Sequence, residues 1–223
     1  MSVLTPTNIS FILQGLWLTL YISFISIVLS TIIGTILAVM RNGKNPVLRL
    51  ISSIYIEFVR NVPNLLWIFI IFLVFQMKST PAGITAFTVF TSAALAEIIR
   101  GGLNGVDHGQ TEAAYALGYT KNKTFFRIIF PQAMTVFLPS YCGQAVDLIK
   151  ATAVVGYIAV NDLTKMGDII RSNTYEAFFP LIATAIIYFL LTWILSLLLG
   201  LVKKRFEPKR RKKEDILKGV KTV

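Results

Sequence analysis

Three acid–base pairs stand at one spacing in an otherwise apolar chain: Glu57 with Arg60, Glu97 with Arg100, and Asp147 with Lys150, each three residues apart. On a helix that spacing puts both charges on one face, close enough to neutralise each other. Ionisable side chains at membrane depth are expensive, and they are usually paired or line a polar cavity. Glu57/Arg60 and Glu97/Arg100 fall near the ends of their apolar segments, where structural neutralisation is the plainer reading and long arginines also reach the headgroups. Asp147 and Lys150 lie deeper and are followed by Thr152, so these three are the first candidates for lining a polar path. A site with both signs suits a zwitterion, giving its carboxylate a cation and its ammonium an anion. Covalent chemistry has no foothold in this sequence. One histidine, His108, and one cysteine, Cys142, make neither a metal-ligand cluster nor a disulfide, and no nucleophile with a base is identifiable.

The elements that position these pairs are membrane spans. Hydrophobic residues make up 55% of the 223 positions and charged residues 15%, and the mean hydropathy of +0.68 excludes a water-soluble enzyme as the default. Phe11–Met40 and Phe178–Val202 carry no charge and exceed the about 20 residues a helical span needs. Weaker segments at 51–77, 84–103 and 136–160 bring the expected number to five. Of the net charge of +11, seven units lie in the tail 203–223, directly after the last apolar run. That placement marks a cytoplasmic flank touching anionic lipid, not a nucleic-acid surface. Counting lysine and arginine on either side of five spans puts the N-terminus, residues 1–10, outside and the tail inside. The first apolar stretch lacks a charged leading region, so it is expected to stay in the mature protein. Ser26, Ser30, Gly34 and Ala38 form a small-residue stripe on the first span, read as packing within the chain in preference to a subunit interface.

Between the third and fourth spans, residues 104–135 exceed the two to eight or so of a simple helix connection. Glu112 to Leu117 is rich in helix formers, Gly118 can end that helix in a left-handed conformation, and 122–130 reads as a second short piece before Pro131. Apolar Ala114, Leu117, Phe125 and Phe126 among Lys121, Lys123 and Arg127 make a docking element for another protein, with an amphipathic hairpin on the headgroups as the alternative.

Glu112-Ala113-Ala114, then Gly118, Ile128 and Pro131 at their spacing, resemble the EAA motif in the membrane subunits of ATP-binding-cassette importers. Phe130 stands where leucine is usual. Most of the chain, 14–202, is similar to the polar amino-acid uptake permeases. The similarity lies in Gln14–Leu20, Glu57–Pro63, Ala96–Gly102 leading to Gly109-Gln110, and Leu148-Ile149-Lys150. The Ala151-Thr152-Ala153 run departs from the Asp-Thr/Ser-Ser/Thr of many relatives.

The resemblance implies an all-α type I importer permease in the cell membrane, working as one of two identical or related membrane subunits. It implies that Glu112, Ala113, Ala114, Leu117, Gly118, Ile128 and Pro131 couple to two ATPase subunits. This sequence has no Gly-x4-Gly-Lys-Ser/Thr loop, so ATP and magnesium would belong to those partners and no cofactor to this chain. An extracytoplasmic amino-acid-binding protein would deliver a polar or charged amino acid, glutamine or glutamate first. Asp162, Lys165, Asp168, Arg171 and Glu176 on the expected external loop would meet that protein or form a plain solvated loop. The rival classes are a gradient-driven transporter or channel independent of an ATPase, and, last, a membrane-embedded enzyme.

Overall fold

Thr5 opens the first helix by accepting the Asn8 amide on its hydroxyl at 3.2 Å, and Pro6 suits the first turn because its missing N–H is not needed there. The computed structural model describes residues 5–206. From that cap α1 runs over Pro6–Asn42, long enough at 1.5 Å per residue to cross a hydrocarbon core of about 30 Å with turns to spare. It is followed by α2 (Pro46–Asn61), α3 (Asn64–Val74), α4 (Ser79–Asn104), α5 (His108–Ala116) and α6 (Lys121–Thr124). A π-helical turn at Phe125–Ile129 leads into α7 (Phe130–Ala151), and a 3-10 segment, Thr152–Ile158, precedes α8 (Leu163–Thr174) and α9 (Phe178–Phe206). The basic residues Lys209–Lys213 lie outside the described residues.

Among the described residues three helices, α1, α4 and α9, are long and apolar enough to cross a membrane, and counting each of two bent pairs as one span gives up to five. The segment 51–77, which Glu57, Arg60 and Pro63 interrupt, is two helices and not one. Pro63 has no N–H to donate and disfavours helical backbone at Val62, which is extended, so the chain bends by 104° between α2 and α3. The fourth segment differs in the other direction. Its helix begins at Lys121, not near 136, and absorbs the short piece expected to stop before Pro131. Instead of ending there, the backbone widens by one residue, and the Phe130 N–H reaches Phe125 O five positions back. This spares the crowding a proline ring imposes four residues upstream.

The small-residue stripe of α1 is spent inside the chain. Ser26 Oγ donates to Ile84 O at 3.3 Å and Ser30 Oγ to Thr88 O at 3.2 Å, both 58 residues apart, so α1 and α4 run parallel in a fixed register. One turn further on, a Cβ at Gly34 would sit 2.9 Å from Ser92 O, and Ala38 then joins Ala96 in a cluster with Ile56. Such close approach gives dispersion contact that larger side chains would forbid. Gly34→Leu is therefore expected to destabilise the fold by about 1–3 kcal/mol through overpacking. Thermal unfolding of the purified chain would register this as a lowered midpoint, whereas Gly200→Leu, with nothing within 4 Å of its Cβ, should leave it in place.

The main core cluster gathers Ile22, Ile68, Phe87, Phe90, Leu148 and Val155 around α4. α9 lies at the periphery, burying only Pro180 and Thr184.

Candidate functional site

Asp107 starts the element that carries the EAA-like residues, its carboxylate accepting the Gly109 amide at 2.7 Å as the cap of α5. The helix ends in a Schellman arrangement. Tyr119 N–H reaches Ala114 O at 3.0 Å and Gly118 N–H reaches Tyr115 O at 2.9 Å. Gly118 has φ +77°, yet a Cβ there would touch nothing within 4 Å, so the demand for glycine comes from the backbone and not from space. Ala114 is buried, while Glu112 and Ala113 point outward. Leu117 is 76% exposed, Phe126 68% and Tyr115 49%, so the turn and the π segment after it present apolar side chains that the described residues do not cover. Ile128 is half-buried in the π turn and Pro131 is exposed in the first turn of α7.

The charge pairs are arranged differently from their spacing. Glu97 and Arg100 do pair, at 2.8 Å. Glu57 does not bond to Arg60: its carboxylate takes Arg41 Nη2 at 3.1 Å, while Arg60 approaches Glu97 at 4.0 Å. Arg41 also donates to Glu97. Glu97 is thus the hub of three guanidinium groups from α1, α2 and α4. The reason is that Glu97 and Arg41 are the more sheltered groups, and attraction there is less screened than between two exposed residues of α2. Arg41 was missed as a site residue. The signal available was its place in the last turn of the first span, at the same membrane level as the end of the third.

Asp147 and Lys150 bond at 2.6 Å with both side chains exposed. With Ser140 and Gly143 they form an exposed polar and small stripe on α7, in contrast with the bulky apolar residues that α1 and α9 turn outward. Thr152 does not join that stripe. Two residues on from Lys150 it lies on the other side of the helix, where the 3-10 segment begins; its hydroxyl donates to Ile149 O at 2.7 Å and the residue is fully buried.

Asp162, expected on an external loop, is also fully buried. It caps α8, accepting Thr164 N–H at 3.0 Å and Lys165 N–H at 3.1 Å, and takes the Tyr188 hydroxyl at 3.2 Å. Thr19 Oγ1 accepts Leu163 N–H at 3.1 Å, so α8 is docked on α1 and α9 and is not a solvated loop. Lys165, Asp168 and Arg171 form an ion-paired cluster on its outer side, with Asp168 bonded to Arg171 Nε at 3.0 Å, and Glu176 is exposed beyond the helix. Among the described residues no group of His, Cys, Asp and Glu is placed to hold a metal.

Comparison with known proteins agrees with this architecture. Residues 30–212 match the family described as binding-protein-dependent transport system inner membrane component. The chain is 38% identical over 198 residues to the probable glutamine ABC transporter permease protein GlnP of Bacillus subtilis (strain 168), covering 85% of this chain and 91% of that protein. It is 34% identical over 204 residues to the putative glutamine transport system permease protein GlnP of Rickettsia typhi, covering 89% and 94%. A crystal structure of an amino acid ABC transporter with histidines superposes with a TM-score of 0.83 at 35% identity, over 89% of this chain and 95% of that one. An inward-facing structure of the MetNI methionine ABC transporter, at 18% identity, gives 0.78 over 92% and 100%, a likeness of fold. With the helical architecture and the EAA-like turn in place, these matches make the chain a member of the binding-protein-dependent transport system inner membrane components, a permease subunit of an ABC importer.

Proposed function

We propose that this permease is one of two membrane subunits of an ATP-driven importer of a polar amino acid, glutamine first. The substrate class is supported by the names of the curated relatives, which describe glutamine transport, and by an exposed Asp147–Lys150 pair able to face both ends of a zwitterion. The exposed stripe of α7 is costly against lipid and better placed against a second permease subunit or a water-filled path. Glu57, Arg60, Glu97 and Arg100 act as a structural staple and not as substrate contacts. The distribution of basic residues favours an outer N-terminus and an inner coupling turn.

The observation that carries the reading is the exposure of Leu117 and Tyr115 at the Gly118 turn and of Phe126 in the π segment that follows, none of them covered by the described residues. It fits a groove on a separate ATPase subunit that holds ATP and magnesium, two such subunits serving two permeases. An extracytoplasmic binding protein would deliver the substrate at the opposite face. This chain breaks no bond in the substrate. It supplies a cavity whose two states bind substrate and partners with different free energies.

Leu117→Asp tests the dock, because a residue this exposed can take a charge without disturbing the fold. Retention of the cognate ATPase in co-purification should fall by about tenfold, the equivalent of one 1.4 kcal/mol contact. Glutamine uptake into vesicles should require internal ATP and survive collapse of the ion gradients. Equal ATPase retention by both chains, together with uptake that follows the gradient, would replace this reading with gradient-driven transport.

A further inference from the structure

Between the α4–α5 turn, the start of α7 and the end of α9 lies a cavity of about 530 Å³, bordered by Pro131 but lined by none of Leu117, Tyr115 and Phe126 nor by the α7 stripe. Two charges of opposite sign line it, Asp107 and Arg205, with Thr135 beside them and an apolar wall of Val106, Val136 and Phe206. Among the described residues these charges do not pair with each other. Asp107 uses Oδ1 to cap α5, and Arg205 has no ion-pair partner among the described residues. A ligand that satisfies both must itself carry both signs.

The place of the cavity says which kind of ligand meets it. α4 and α9, both long and apolar enough to cross a membrane, end there, so it sits at headgroup level whichever way the chain is oriented. Lys203, Lys204 and Arg205 crowd the last turn of α9, as expected at that boundary. Ile194, Leu198 and Leu201 are exposed on α9, and Leu201 lies one turn before Arg205 on the same face. In a bilayer that face is covered by acyl chains.

We propose that this cavity binds a phospholipid whose headgroup carries a phosphate and a primary ammonium. The phosphate sits on Arg205, the ammonium on Asp107, and an acyl chain runs along Leu201 and Leu198. Phosphatidylethanolamine has this chemistry. Phosphatidylcholine keeps the charge but has no N–H to donate, and phosphatidylglycerol has no cation. A lipid seated here ties the end of α9 to the root of α5, next to the coupling turn.

The test is lipid retention by the delipidated full-length chain, followed by native mass spectrometry and by the thermal midpoint on adding each lipid. Phosphatidylethanolamine should bind about tenfold more tightly than the other two, the value of one charge-assisted hydrogen bond. Asp107→Asn removes the charge but keeps an equally good helix cap, so it should erase that preference without unfolding α5. Arg205→Gln should weaken all three lipids, and soluble phosphoethanolamine should fail to compete. Equal binding of the three lipids by the wild-type chain would overturn the proposal. So would a preference that survives Asp107→Asn, or full competition by the soluble headgroup.

Discussion

Gly118→Val is expected to reduce ATPase co-purification by about tenfold or more while the membrane bundle keeps its thermal midpoint. The glycine sits at φ +77°, where an L-residue pays roughly 1–2 kcal/mol and a β-branched one is a genuine outlier. No atom lies within 4 Å of the added Cβ, so the variant loses its turn by backbone strain and not by collision within the chain. Two bonds of the Schellman arrangement, from Tyr119 and Gly118, would be given up together, and with them the orientation of Leu117. Gly118→Asn separates this account from a plain loss of contact area. Asparagine tolerates the left-handed region, so it should retain most of the ATPase despite being bulkier than alanine. A ranking by side-chain size, with asparagine as poor as valine, would mean that the turn is read by close approach to the partner and not by its backbone.

The Gly118 turn was legible because it is local. A helix-forming run followed by glycine has one good way to end, and nothing distant needs to agree. The α1 stripe was legible for a related reason: four small residues at a four-residue period face one neighbour, whichever it is. Where the outcome depended on another element, the sequence misled. Spacing favoured Glu57 bonding to Arg60, but α2 packs where Arg41 offers a closer partner. Asp162 looked like a loop charge, and its burial depends on Thr19, far upstream in α1, and Tyr188 in α9. Thr152 was grouped with Asp147 and Lys150 because it follows them in the chain, but two residues on from Lys150 is roughly the opposite side of a helix, the side packed on the core. The bend at Pro63 was foreshadowed by the proline itself. The continuation of helix through Pro131 was not, since a one-residue widening is a tertiary accommodation and has no signature in the type of residue alone.

The second large effect is expected at Glu97. Its side chain is 19% exposed and it serves Arg41, Arg60 and Arg100 at once. Replacing it by glutamine leaves the shape and removes the charge, so three guanidinium groups from α1, α2 and α4 would face one another at the membrane boundary. Removing one partner of a buried ion pair costs about 3–5 kcal/mol, and because these arginines can reach toward water the lower end applies here. Glu57→Gln is the informative contrast. That carboxylate is 66% exposed and among the described residues meets only Arg41, so its loss should fall within the about 1 kcal/mol of a surface pair. The unfolding midpoint in nanodiscs would therefore drop sharply for Glu97→Gln and barely for Glu57→Gln. If the cause is unneutralised charge, adding Arg41→Gln to Glu97→Gln should recover part of the loss, because the repulsion is relieved even though a contact is missing. If Glu97 mattered only as packing, the double variant would be worse than either single one. Equal midpoints for the two glutamate variants would remove Glu97 from its place as the hub joining the three helices.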